Sequence, residues 1–221
     1  MMQDTPPGKP RRSFVRESPE QRRAELIEAA LELIGEGGYR AATVRSIAAR
    51  ANVSLGLIRH HFSTKEDLIN AAYEAHMSEM TELSLALADR SDLAPKARMA
   101  SVIRASLSPP VMSERNVTLW ATFIAQIANE PAIKATHDRT YLEFRDRLED
   151  LISQTLAAED RPATPLGIRH LALACNALMD GLWLEGGACP GAVEGADLAA
   201  VGLEKIGLIL GVDLSAGGGA A

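Results

Sequence analysis

Apolar side chains recur at spacings of three and four residues along nearly the whole chain. The first such run contains Leu26, Ile27, Ala30, Leu31 and Ile34, and similar runs follow as far as residue 210. Because an α-helix turns once in 3.6 residues, this spacing gathers the apolar side chains on one helical face. Alanine and leucine, 36 and 27 residues, dominate the apolar content, while aromatic residues make up only 4%. This composition favours helices over a β-sandwich or barrel, so we predict an all-α fold.

Capping residues divide the pattern into nine predicted helices. The hydroxyls of Ser18, Thr43, Ser54 and Ser63 stand where they would cap the first four. Prolines stand at or near the start of four later helices, where a missing N–H costs little. The predicted helices cover residues 18–37, 43–50, 54–61, 63–88, 95–107, 110–129, 131–158, 165–185 and 195–210.

Several protein classes are excluded by what the sequence lacks. The longest stretch without a charged residue, 116–129, is too short to cross a bilayer as a helix, so no membrane partner is expected. Residues 1–18 are polar and rich in proline and arginine, unlike a signal peptide. Cys175 and Cys189 are too few for a disulfide framework or a zinc site, and two buried thiols are expected. We therefore expect a cytoplasmic protein.

Motifs for catalysis are also missing. The sequence has no nucleophile elbow, no glycine-rich phosphate loop and no zinc-binding histidine pair, so we predict no catalytic residue, cofactor or metal. Adjacent histidines such as His60 and His61 point about 100° apart on a helix and do not easily share one ion. An enzyme is the remote alternative, and a helical scaffold for protein partners is an alternative from a further class.

Residues 43–62 carry the strongest functional signal. Two short predicted helices are joined by Ala51-Asn52-Val53, and asparagine tolerates the left-handed backbone that such a turn often needs. Ile47, Ala48 and Ile58 are spaced to pack the two helices on each other and on the first helix. This pattern indicates a helix-turn-helix, whose second helix enters a DNA major groove. An ordinary helical hairpin inside a bundle is the alternative interpretation.

The distribution of charge favours DNA binding over that alternative. The chain carries a formal charge of −6, but residues 1–70 contain 11 basic and 9 acidic residues, whereas residues 71–221 contain 12 and 20. From Gly37 to Lys65 there are five basic residues and no acidic one. A surface that must approach phosphates excludes carboxylates. The net charge of the whole chain therefore conceals a basic segment at the helix-turn-helix.

The stretch from Thr43 to Leu68, which reads TVRSIAARANVSLGLIRHHFSTKEDL, resembles the DNA-binding signature of the TetR family of transcriptional regulators. The resemblance implies that the hydroxyls of Thr43 and Ser54 and the ammonium of Lys65 hold phosphates. It further implies that Gly56 lets the recognition helix lie close to the duplex, and that Phe62 fixes the unit to its core. The chain departs from the usual pattern where Asn52 replaces a turn glycine, and where Arg59 and His61 replace tyrosines.

Side chains on the exposed face of the third helix are also predicted to contact DNA, because their lengths let them reach the edges of the bases. Arg45 is predicted to contact a phosphate. The DNA-binding residues predicted in total are Thr43, Arg45, Ser54, Leu55, Gly56, Leu57, Arg59, His60, His61 and Lys65. A unit of this size makes few contacts, so specific binding needs a symmetric dimer on a pseudo-palindromic operator.

The last two predicted helices are the candidate dimer interface. Residues 171–184 are apolar nearly all round the helix, so one face can fill the chain's own core while the other meets a partner. Gly202 and Gly207 on the last helix would allow close approach, and the family resemblance implies a four-helix interface here. A central helix buried within a monomer is the alternative.

Aromatic residues in the second half suggest a ligand pocket between helices. Trp120 and Phe123 share one helical face, as do Tyr141 and Phe144, although such rings are more often plain core. The stretches 119–123 and 176–186 resemble the BetI branch of the family, regulators of choline-to-glycine-betaine genes. That resemblance implies a quaternary ammonium effector such as choline, held by Trp120, Phe123, Tyr141 and Trp183 with the carboxylate of Asp180 or Glu114. A regulator of another catabolic or efflux pathway, with a different effector, is the alternative.

The predicted organisation follows from these assignments. Residues 1–17 form a disordered basic tail and residues 18–64 a three-helix DNA-binding domain. Residues 65–211 form a helical effector-binding and dimerisation domain, and residues 212–221 a flexible tail. The expected activity is that of a ligand-responsive repressor.

Overall fold

The computed structural model describes residues 18–188 and 197–215, and every regular element in these two ranges is helical, which confirms the predicted all-α class. A single 3₁₀ turn, Tyr39–Ala41, separates the first two α-helices. The α-helices are α1 Pro19–Gly37, α2 Val44–Arg50, α3 Leu55–His61, α4 Lys65–Leu85, α5 Pro95–Ser106, α6 Glu114–Ile124, α7 Pro131–Ala158, α8 Pro165–Ala188 and α9 Leu198–Leu210.

The predicted caps of α1, α2 and α3 are confirmed. The side-chain oxygens of Ser18, Thr43 and Ser54 each accept a hydrogen bond from the backbone N–H three residues on. At α4 the cap is one residue later than predicted, because Thr64 pairs reciprocally with Asp67 in a capping box. Each side chain satisfies a backbone N–H that the helix itself leaves unpaired.

Several helix limits differ from the prediction. Helix α4 ends at Leu85 rather than at residue 88, and α8 continues to Ala188 rather than ending at residue 185. The helix predicted over 110–129 covers only Glu114–Ile124, because Ser113 caps it and the amide of Asn116 donates to the carbonyl oxygens of Pro110 and Val111. Those two bonds hold residues 110–113 in a turn before the helix. The last helix begins at Leu198 with Asp197 as its cap, and residues 195 and 196 lie outside the described ranges, as does Cys189.

The first residues of the segment predicted as a flexible tail pack against the fold. Gly211 ends α9 in the left-handed conformation, with φ of 67°. The chain then turns back, and Val212 and Leu214 are buried against the core of the second domain. These two apolar side chains make the turn part of the fold.

Two apolar cores share helix α4. The first core joins α1, α2 and α3 to the first half of α4, and it also takes in Leu119 and Phe123 of α6. The second core joins the end of α4 to α5, α7, α8 and α9. The boundary predicted after residue 64 therefore falls at the start of the helix that both cores use.

The helix-turn-helix geometry is present in α2 and α3. Ile47, Ala48 and Ile58 are buried in the first core, and Phe62 is buried beside them. Asn52 has a φ of 54°, the left-handed conformation that the turn sequence predicts. The backbone N–H of Val53 donates to the carbonyl oxygen of Ala48 at 2.9 Å, which closes the turn.

Candidate functional site

The predicted DNA-binding residues lie on α2, on α3 and at the first position of α4. Seven of them are exposed, while the side chains of Leu57, His61 and Lys65 are half-buried. Leu55 is an exposed apolar residue, with 41% of its surface accessible. We call this set, Thr43, Arg45, Ser54–Leu57, Arg59–His61 and Lys65, the DNA-contact surface.

The cations of the basic segment differ in their ion pairing. Arg50 forms salt bridges of 2.8 and 2.6 Å with Glu32 and Glu36 of α1, so its charge is already compensated. Arg45 and Arg59 form no ion pair with any residue in the described ranges. The ammonium of Lys65 lies 5.2 Å from the centre of the Tyr39 ring, a cation–π contact. Arg45, Arg59 and Lys65 of the DNA-contact surface therefore have no carboxylate partner among the described residues, and neither has Arg40 of the same segment.

Two hydroxyls of this surface are anchored as caps. Thr43 Oγ1 accepts from the N–H of Ser46 at 3.1 Å, and Ser54 Oγ accepts from the N–H of Leu57 at 3.2 Å. A hydroxyl that accepts one hydrogen bond keeps a proton that it can donate elsewhere. The caps therefore fix the position of both oxygens and leave the Ser54 hydroxyl able to donate to a phosphate. Thr43 Oγ1 also lies 2.9 Å from Ser46 Oγ, which itself donates to the carbonyl oxygen of Ala41, so the Thr43 proton is directed to Ser46.

Packing within the chain does not require a glycine at position 56. It lies exposed inside α3, and a Cβ built there meets nothing nearer than the hydroxyl oxygen of Ser54 at 3.7 Å. Glycine in a helix costs about 1 kcal/mol relative to alanine. The open space above Gly56 is compatible with close approach of another molecule.

A cavity lies between α4, α5, α6, α7 and α8 and has a volume of about 100 Å³. This is small beside the several hundred cubic ångströms of a typical drug-sized ligand site. Four of the five predicted ligand-binding residues, Trp120, Tyr141, Asp180 and Trp183, line it. Three are aromatic and one is a carboxylate, although the residues come from three different helices. We call this space the effector cavity.

A hydrogen-bond network fixes the carboxylate of Asp180. The hydroxyl of Tyr141 donates to Asp180 Oδ2 at 2.6 Å, and the amide of Asn176 donates to the same oxygen at 2.9 Å. Burial raises the pKa of Asp180, while these two donors lower it. Burial also raises the pKa of Tyr141, so the phenol stays protonated as a donor. No described residue forms an ion pair with Asp180.

The two tryptophans meet at one side of the cavity. The ring centres of Trp120 and Trp183 are 5.7 Å apart at an interplanar angle of 80°, an edge-to-face contact. The indole N–H of Trp183 donates to the carbonyl oxygen of Val111 at 3.2 Å. These contacts hold both rings in place beside the network of Asp180.

The structure does not bring Phe123 or Glu114 into the cavity. Phe123 is fully buried in the first core and stacks on Tyr73 with 4.5 Å between ring centres, so it does not line this cavity. Trp120, three positions earlier, reaches the cavity because it lies on the flank of α6 nearer to α8. Glu114 is exposed at the start of α6. Asp180 is therefore the carboxylate of this cavity.

Sequence reasoning missed the contribution of α4 to the cavity. His76, Met77, Met80, Thr81 and Ser84 line one of its walls, together with Ser106 at the end of α5. His76 and Ser84 are buried polar residues on a helical face that also buries Tyr73 and Met77. Polar residues that interrupt an apolar helical face, here His76 and Ser84, are the signal that would have marked this part of the cavity.

Gly202 and Gly207 of α9, which were predicted to allow close approach of a second protomer, instead contact residues of their own chain. A Cβ on Gly202 would lie 2.4 Å from a methyl carbon of Leu107, and one on Gly207 would lie 2.7 Å from the carbonyl oxygen of Val212. Both glycines therefore allow close packing within the chain. Apolar side chains that remain outside the core are Leu166 and Leu173 of α8 and Leu208 of α9, which are 63, 53 and 71% exposed.

Comparison with known proteins agrees with both halves of this geometry. Residues 26–72 match the family model described as bacterial regulatory proteins, tetR family. Residues 95–211, more than half of the chain, match the model described as BetI-type transcriptional repressor, C-terminal. The chain belongs to the TetR family. It is a transcriptional regulator with a BetI-type C-terminal domain, and not an enzyme.

Individual TetR-family relatives extend the match over most of the chain. The HTH-type transcriptional regulator BetI of Burkholderia cenocepacia HI2424 is 30% identical over 197 residues, 88% of this chain and 96% of that protein. A crystal structure of a transcriptional regulator from Pseudomonas aeruginosa PAO1 is 30% identical, covering 93% of this chain and 97% of that one, with a TM-score of 0.79. A regulator from Saccharomonospora viridis, solved in complex with choline, has the same fold, with a TM-score of 0.69 and 17% sequence identity. The match covers 87% of this chain and 96% of that one.

In the described ranges, no helix is both long and apolar enough to cross a membrane. TetR regulators bind operator DNA and small-molecule effectors.

Proposed function

We propose that the chain is a repressor whose release from its operator is controlled by a small cation bound in the effector cavity. The observation that carries this proposal is the carboxylate of Asp180, which has no cationic partner among the described residues and lies among the rings of Trp120, Tyr141 and Trp183. A regulator of this kind acts on chromosomal DNA, so the proposal includes a cytoplasmic location. The operator contacts are those of the DNA-contact surface.

The chemistry of the cavity suits a quaternary ammonium such as choline. Such a cation has no N–H to donate, so it is recognised by aromatic faces and by a nearby negative charge. The S. viridis regulator of the same fold was solved in complex with choline, a ligand of this class. The small volume of the cavity suits a small effector better than one of drug-like size.

Helix α4 connects the cavity to the DNA-binding domain. Its first half packs in the first core, and its second half lines the cavity. Tyr73 Oη lies 2.7 Å from His137 Nδ1, and the ring of His137 stacks on Tyr141 with 5.1 Å between centres. A cation that displaces Tyr141 or α4 would therefore change the position of α2 and α3 on the operator.

A calorimetric titration with choline tests the cation site. Asp180→Asn keeps the size of the side chain and removes its charge, and we expect choline to bind at least about 30-fold more weakly, since losing one partner of a buried charge pair costs 2 kcal/mol or more. Asp146→Asn, an exposed position elsewhere on α7, is the matched control and should bind choline as the native chain does. No heat from choline at millimolar concentration, or equal affinity in both variants, would contradict the site.

We further propose a homodimer through α8 and α9. The exposed face of α8 carries Leu166, Leu173, Ala174 and Ala177, together with Gly181, where a Cβ would meet nothing within the chain. Leu208 continues this apolar face on α9. A face of small and apolar residues on two adjacent helices fits a second copy of itself related by a twofold axis.

Leu173→Asp tests this interface. Because Leu173 is 53% exposed, the change should leave the fold intact, as circular dichroism would verify, but should bury a charge between protomers. We expect monomers by light scattering and operator binding weaker by at least about 100-fold, since only one half-site is then held. Leu142→Asp, at a 42% exposed position on α7, is the control. A Leu173→Asp protein that remains dimeric and binds its operator normally would exclude this interface.

A further inference from the structure

The effector cavity contains a second polar feature, separate from Asp180. Four buried side-chain polar atoms in the described ranges lack a hydrogen-bond partner, and two of them, His76 Nε2 and Ser106 Oγ, belong to residues that line this cavity. His76 is 1% exposed and Ser106 is 8% exposed. Buried polar atoms are nearly always bonded, because an unsatisfied one loses its water without compensation. Their location in one cavity wall suggests that a bound molecule supplies the missing partner.

Both side chains are electrically neutral. Burial, assisted by the charge of Arg115, lowers the pKa of His76 to about 4, so the imidazole is uncharged near pH 7. A neutral imidazole offers one donor and one acceptor nitrogen, and a serine hydroxyl both donates and accepts. Together they match a hydroxyl or carbonyl group.

A carboxylate would not be accommodated equally well. No lysine or arginine is among the described residues that line the cavity, and the carboxylate of Asp180 lines the same cavity. A buried carboxylate without a cationic partner is strongly disfavoured. The cationic end of a zwitterion would therefore be stabilised by Asp180, whereas its carboxylate would be buried without a cationic partner.

We propose that His76 and Ser106 form an uncharged hydrogen-bonding subsite, so that the preferred ligand is a small cation that also carries a hydroxyl or carbonyl group. This inference rests on the proposed cation site and adds the chemistry of the ligand's other end. It assigns specificity to α4 and α5, whereas the cation is held by α6, α7 and α8.

The test compares choline with propyltrimethylammonium, in which a methyl group replaces the hydroxyl, by calorimetry. We expect the native chain to bind choline about tenfold more tightly, and glycine betaine, with its carboxylate, more weakly than either. In Ser106→Ala and in His76→Phe, the preference for choline should fall to about twofold or less, while propyltrimethylammonium binds as before. Ser106→Ala removes an unbonded hydroxyl, so its melting temperature should not fall.

The outcomes separate the two proposals. Equal binding of the two ammonium compounds by the native chain, or a preference that neither variant changes, overturns the subsite while leaving the cation site in place. Tighter binding of glycine betaine than of choline also overturns it. Failure of both ammonium compounds to bind contradicts the cation site and the subsite together.

Discussion

Replacing Arg45, Arg59 and Lys65 together by alanine should abolish most of the salt dependence of operator binding. Each cation that contacts a phosphate contributes about −0.9 to the slope of log K against log salt concentration, so the triple variant should lose about 2.7 of that slope per protomer, or about 5.4 for the proposed dimer. Each single variant should lose about 0.9 per protomer and bind all DNA more weakly. The two arginines are free of ion pairs with described residues, and Lys65 is positioned by Tyr39.

The matched controls come from the same chain. Arg50 lies in the same acid-free segment but is held by Glu32 and Glu36, so Arg50→Ala should leave the slope nearly unchanged. Arg90 is exposed, pairs with Asp92 and lies outside the DNA-binding domain, so Arg90→Ala controls for the loss of one positive charge alone. Fluorescence anisotropy across a salt series gives the slope, and circular dichroism checks the fold. A triple variant with the native slope would show that DNA docks elsewhere.

The largest expected effect of a ligand is release of the operator. A ligand that changes the equilibrium between two conformations must bind one of them more tightly, and typical coupling free energies correspond to a 5- to 150-fold change in affinity. We therefore expect saturating choline to weaken operator binding by a factor of about 10 to 100. Asp180→Asn should bind the operator normally in the absence of choline and should fail to release it when choline is added.

The DNA-binding domain could be predicted from sequence because its signals are local. The caps at Thr43 and Ser54 act within three residues, and the left-handed Asn52 lies inside the turn that it forms. The capping residue of α4 was misplaced by one position because Ser63 and Thr64 are chemically equivalent candidates. Only packing against the neighbouring helices distinguishes them.

The effector cavity could be predicted only in part because five helices build it. Trp120 and Phe123 share a helical face, and no local signal says which of them meets α8 and which meets Tyr73. The dimer prediction met the same difficulty, because the partners of Gly202 and Gly207 are distant in sequence and belong to the chain itself. The role of His76 could not be predicted, because the function of a polar residue within an apolar helical face depends on which residues of other helices contact it.

Control of DNA binding by a cation is tested most directly by titrating choline into the complex of the protein with a labelled operator fragment, taken from the DNA upstream of the gene, and following the anisotropy of the label. We predict that the native complex dissociates as choline saturates, and that the Asp180→Asn complex stays intact at the same concentrations. Dissociation of both complexes, or of neither, would contradict the proposal that a cation at Asp180 controls DNA binding.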